Sequence, residues 1–115
     1  MDRELTDLRD TAHLDELLEL SRVHPLLLFK HSDTCGTSFE ALDALVAHMA
    51  GPQVSVRYAM VTVQDQREVS DAVAARLGVR HETPQAILVR DGQVVWTASH
   101  FRISVASLAQ AVQGY

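Results

Sequence analysis

Among the side chains of this sequence, one is a soft nucleophile: Cys35, the single cysteine, set in the polar run His31-Ser-Asp-Thr-Cys-Gly-Thr-Ser-Phe39. Its thiolate would be the reactive form, and thiolates attack the sulfur of disulfides. With no second cysteine an internal disulfide cycle is excluded, so after any exchange Cys35 must itself carry the adduct. A lone cysteine is more often a small buried apolar residue than a catalyst. A core cysteine would have apolar neighbours, however, whereas His31, Ser32, Asp33, Thr34, Gly36, Thr37 and Ser38 suit an exposed turn entering a helix.

Other candidates are sparser. Thr83-Pro84 immediately precedes a strand-like run; a trans proline opening a strand is the commoner arrangement, and a cis bond in a tight turn is the alternative. Six histidines invite a metal reading, but only His31 stands close to Cys35, and no further cysteine completes a closed set, so no structural metal site is expected. His100 follows the last strand-like run and would end at the same sheet edge as Cys35, where it could stabilise a thiolate or touch a ligand. Trp96 and Phe101 read as packing residues.

Positioning these residues requires a regular frame. Leu14, Leu17, Leu18 and Val23 recur at helical steps after a cap at Asp10 or Thr11, and the helix ends before Pro25. Leu26 to Lys30 is an unbroken apolar run too short for a helix, the pattern of a strand covered on both faces. Cys35 thus falls between a strand end and a helix start, where unpaired amides and the helix dipole favour an anion. The helix that follows carries a stripe of Phe39, Leu42, Leu45, Val46 and Met49 and stops at Gly51-Pro52. Val54 to Val63 is β-branched and reads as a second long strand. Asp65 would cap a third helix with Val69, Ala72, Val73 and Leu77 inward, closed by Gly78 in a left-handed turn. Gln85 to Val89 and Gln93 to Thr97 flank Arg90-Asp91-Gly92, a hairpin signal. Ser104 would cap a last helix, with Ile103 and Leu108 spaced as a hydrophobic staple. Glu4 to Thr6 offers a short edge strand.

A strand-helix-strand unit followed by a hairpin and a closing helix packs as one mixed sheet of four to five strands with helices on both faces. This is the thioredoxin-like α/β layout, and 115 residues with 47% hydrophobic content suit a single domain over the whole chain. A net charge of −5, a single lysine and scattered arginines that form no run argue against a phosphate-binding surface and against nucleic acid as a partner. No apolar run reaches membrane length and the first ten residues lack a signal-like core, so neither membrane nor export is expected. One cysteine suits a reducing, cytoplasmic setting.

Over nearly its whole length the chain resembles the monothiol bacilliredoxin-like proteins, also described as bacillithiol-system redox-active proteins of the YtxJ type. The resemblance rests on Leu28-Phe29-Lys30-His31-Ser32 leading into Thr34-Cys35-x-x-Ser38, on His81-Glu82-Thr83-Pro84-Gln85-Ala86-Ile87-Leu88, on Asp91-Gly92-x-Val94-Val95-Trp96 and on Ala98-Ser99-His100. The chain departs from it at Gly36, where the family usually has proline, and at Phe101, where tryptophan is common. The resemblance implies a monothiol oxidoreductase with Cys35 as nucleophile and Thr34, Gly36, Thr37, Ser38 and His31 supporting it. Thr83, Pro84 and His100 would meet the substrate. It also implies no bound cofactor, bacillithiol as a low-molecular-weight thiol co-substrate, bacillithiolated client proteins as partners and a monomeric state. Ser38, in the place of a resolving cysteine, would be free to hydrogen-bond the helix-start amides or the thiolate. Two alternatives remain open: Cys35-Gly36-Thr37-Ser38 is similar to the Cys-Gly-Phe-Ser motif of monothiol glutaredoxins that carry iron-sulfur clusters, and the domain could be a thioredoxin-like interaction module with an idle thiol.

Overall fold

The computed structural model describes residues 4–52 and 54–115. Its elements run β1 (Leu5–Asp7), α1 (Thr11–Leu20), β2 (Leu26–His31), α2 (Gly36–Met49), β3 (Arg57–Thr62), α3 (Arg67–Leu77), β4 (Gln85–Arg90), β5 (Gln93–Ser99), a 3₁₀ turn (His100–Arg102) and α4 (Val105–Ala111). The sheet order is β1-β3-β2-β4-β5, with β1 and β2 parallel to β3, and β4 antiparallel to both β2 and β5. The short edge strand foreseen at Glu4 to Thr6 forms one residue later.

β2 is the centre of the sheet, and all six of its residues are buried. Successive side chains of a strand point to opposite faces. Leu26 and Leu28 therefore join one core with α1 and α3, while Leu27 and Phe29 join the other with α2 and α4. The same alternation sends Lys30 toward the α3 side and His31 toward α2.

Several ends follow from local chemistry. The Asp10 carboxylate accepts from the His13 amide at 2.7 Å and starts α1. Asp91 and Gly92 take φ of 53° and 74° in the β4–β5 turn, and Gly78 ends α3 at φ 64°. Ser104 and Ser107 exchange side-chain and backbone bonds in a reciprocal cap of α4, while Ile103 and Leu108 are both buried in the α2–α4 core.

Other expectations need correction. α1 ends at Leu20, and Val23 lies in the following turn, 72% exposed. The second long strand is confined to Arg57–Thr62, and α3 is capped by backbone geometry at Gln66 with no side-chain bond from Asp65. On α2 the fully buried residues are Ser38, Ala41, Leu45 and His48; Leu42 and Met49 of the apolar stripe pack against the same core, while Phe39 and Val46 are exposed. The inward polar residues are paired: the His48 ring lies 2.9 Å from the Tyr58 hydroxyl.

Candidate functional site

Cys35 is the residue immediately before α2, with extended backbone at φ −120° and ψ 120°, and it is half-buried. Its carbonyl accepts the amides of Ser38 and Phe39 at 3.1 and 3.3 Å, which closes the first helical turn. The amides of Gly36 and Thr37, the first residues of that turn, have no intrahelical acceptor and face the helix start. Gly36 has nothing within 4 Å of where a Cβ would lie.

Ser38 is fully buried, and its hydroxyl is committed elsewhere than to the sulfur. Its Oγ accepts the Ser32 amide at 2.9 Å and lies 2.9 Å from Nδ1 of His31. The other ring nitrogen, Nε2, is 3.0 Å from the Asp33 carboxylate. A carboxylate only accepts, so in neutral His31 the proton sits on Nε2, Nδ1 is bare, and Ser38 must donate to it. In place of the helix-start amides or the thiolate, Ser38 thus joins an Asp33–His31–Ser38 chain that pins the turn to the helix. His31 itself is 2% exposed and meets the Phe39 ring edge-on at 4.8 Å, so it acts from beneath the turn.

A residue that sequence reasoning missed closes the turn from the other side. Gln64, in the β3–α3 loop, accepts the Asp33 amide at 3.1 Å and donates to the hydroxyls of Ser32 and Thr34 at 2.8 and 3.2 Å. Thr34 is exposed, and its hydroxyl is also 3.2 Å from that of Ser32. No spacing signal links Gln64 to a turn some thirty residues earlier in the chain.

Lys30 pairs with Gln85 in antiparallel register, so the residues after β2 and those before β4 lie at one sheet edge. Thr83-Pro84, whose peptide bond is cis, therefore stands on the same edge as the Cys35 turn. His100 arrives there too: its amide donates to the Pro84 carbonyl at 3.0 Å, and its ring Nδ1 faces the Glu82 carboxylate at 3.9 Å. With Arg80, Glu82, Gln85 and Phe101 it lines a cleft of about 580 Å³. Trp96 packs on the α2–α4 core, but Phe101, expected to pack, is 81% exposed on the 3₁₀ turn. Among the described residues no group of three His, Cys, Asp or Glu is arranged to hold a metal ion, and no helix is long and apolar enough to cross a membrane.

This arrangement, a cysteine at the start of the helix after the central strand and a cis proline at the same edge of the sheet, is that of the thioredoxin fold. Solved structures agree. A candidate oxidoreductase with a thioredoxin fold superposes with a TM-score of 0.82 at 31% identity, covering 93% of this chain and 92% of that one. The thioredoxin of Malassezia sympodialis and a point mutant of the thioredoxin of Halobacterium salinarum share the fold at TM-scores of 0.76 and 0.74. Their identities are 14% and 20%, with 96% and 97% of this chain and 89% and 90% of theirs covered. Residues 6–108 match the family model of the monothiol bacilliredoxin BrxC, and the chain belongs to that family.

Proposed function

We propose that the protein is a monothiol thiol-disulfide oxidoreductase that removes bacillithiol from protein mixed disulfides. The observation that carries this reading is Cys35 itself: a half-buried thiol at a helix start, without a second cysteine, in a chain of the monothiol bacilliredoxin family. In the forward step the Cys35 thiolate attacks the bacillithiol sulfur. The client–bacillithiol S–S bond breaks, the client leaves as a thiolate that takes up a proton, and Cys35 holds bacillithiol in a new mixed disulfide. A second thiol from solution then attacks that bacillithiol sulfur, forms a small-molecule disulfide and returns the Cys35 thiolate. Ser38 takes no part in resolution, because a hydroxyl forms no disulfide.

Thr83, Pro84 and His100 would receive the client or the thiol at the shared edge, and the protein works as a cytoplasmic monomer without bound cofactor. The test is intact mass after exposure to oxidised bacillithiol and, separately, oxidised glutathione, followed by the reduced thiol. A single adduct at Cys35, reversed by added thiol and absent in Cys35→Ser, is expected. Failure to form either adduct, or full debacillithiolation activity in Cys35→Ser, overturns the proposal.

A further inference from the structure

Lys30 has no task in that exchange. It is the only lysine of the chain and lies in the central strand five residues before the nucleophile, wholly removed from solvent. A buried ammonium is costly and persists only where partners satisfy it. Its Nζ lies 2.9 Å from Nδ1 of His81, in the α3–β4 loop. An ammonium only donates, so a charged Lys30 requires a bare Nδ1 and a neutral imidazole. The charged group that faces the pair from α3 is Asp71, while the residues beside Lys30 on β3 and β4, Val61 and Gln85, are uncharged. Burial lowers the pKa of Lys30, with Asp71 opposing. Burial and then the Lys30 charge push His81 below the usual histidine range, with Asp71 again opposing. His81 opens the run His81-Glu82-Thr83-Pro84, which reaches the Cys35 edge.

We propose that Lys30 is a positioning residue for the exchange: through His81 it ties the Glu82-Thr83-Pro84 loop to the strand that leads to Cys35, and the tie opens when His81 takes up a proton. This rests on the monothiol-exchange reading above. Protonation places an N–H where the ammonium needs an acceptor and sets two cations at bonding distance, with the Asp71 carboxylate as their offset. The ring then leaves, and the loop that receives the client loses its anchor on β2.

The experiment compares the wild type, Lys30→Met and His81→Asn for exchange on a bacillithiolated model protein between about pH 5 and 8, the range over which histidine titrates. Alkylation of Cys35 by iodoacetamide at each pH divides out thiol ionisation. The wild-type normalised kcat/KM is expected to fall about tenfold on acidification, through KM, the scale of one lost hydrogen bond to a charged group. His81→Asn, whose amide oxygen accepts from Lys30 at every pH, should keep the neutral-pH value throughout. Lys30→Met should show the raised KM at all pH with Cys35 alkylation unchanged. A flat normalised wild-type profile, an unchanged acid limb in His81→Asn or a wild-type KM in Lys30→Met overturns the tie. If no form of the protein exchanges at any pH, the functional reading has failed, and NMR titration of His81 then decides the tie. Its pKa should rise in Lys30→Met, and an unmoved titration overturns it.

Discussion

Ser38, three residues after the nucleophile, holds the turn together through its hydroxyl. Its oxygen accepts the Ser32 amide and, with His31 neutral, its proton goes to Nδ1 of that ring, both buried. Ser38→Ala leaves two buried groups without partners and is expected to cost about 2 kcal/mol, the scale of such losses, read as a lowered urea midpoint at unchanged slope. Gly36 shows the opposite case. It is the first residue of α2, where proline costs no hydrogen bond, space is open at its Cβ, and Cys35 before it already has the extended backbone that precedes proline. Gly36→Pro should therefore raise stability by about 0.5–1 kcal/mol by restricting the unfolded chain, again measured by urea unfolding. Cys35 stands out by residue type and neighbours, whereas the dipeptide Thr83-Pro84 alone favours a trans bond and its cis form follows from the fold. The inner role of His31 could not, because a histidine in a polar run reads as exposed until its partners are seen.

At the scale of elements, the strands and the hairpin were legible because β2 is covered on both faces and Asp91-Gly92 has a specific turn geometry. On α2, Leu42, Leu45 and Met49 of the apolar stripe pack inward, but Ser38 and His48 also face inward as paired polar groups while Phe39 and Val46 face out. Hydrophobic periodicity assigns such pairs to solvent. Gln64 shows the same limit between elements, since its contacts join segments distant in the chain. Gln64→Leu removes an acceptor from the Asp33 amide and donors to Ser32 and Thr34. Faster hydrogen exchange at Asp33 is expected, with a loss of about 1 kcal/mol in global stability for an exposed contact of this kind. Unchanged exchange at that amide would show that Gln64 does not hold the turn.

For the whole molecule, the pair formed by buried Lys30 and the exposed His81 sets the direction of pH dependence. The folded pKa of His81 lies below its ordinary 6.5, so its contribution is fully present above that pH and lost as pH falls through the lower folded value. Lys30, lowered from 10.5, has the same sign, and the stability linked to it grows as pH rises toward that value. The urea midpoint should fall between neutral and mildly acidic pH, and His81→Asn should flatten that slope; an equally steep slope in the variant would assign it to other groups. β2 joins these threads. Lys30 and His31 are consecutive, yet one reaches the loop that carries Pro84 and the other the helix that begins after Cys35. A slip of β2 by one position would turn the ammonium toward Ser38 and the imidazole toward His81, breaking both contacts at once. The two polar residues thus act as a parity check on the strand, admitting one pairing with its neighbours and rejecting the adjacent one.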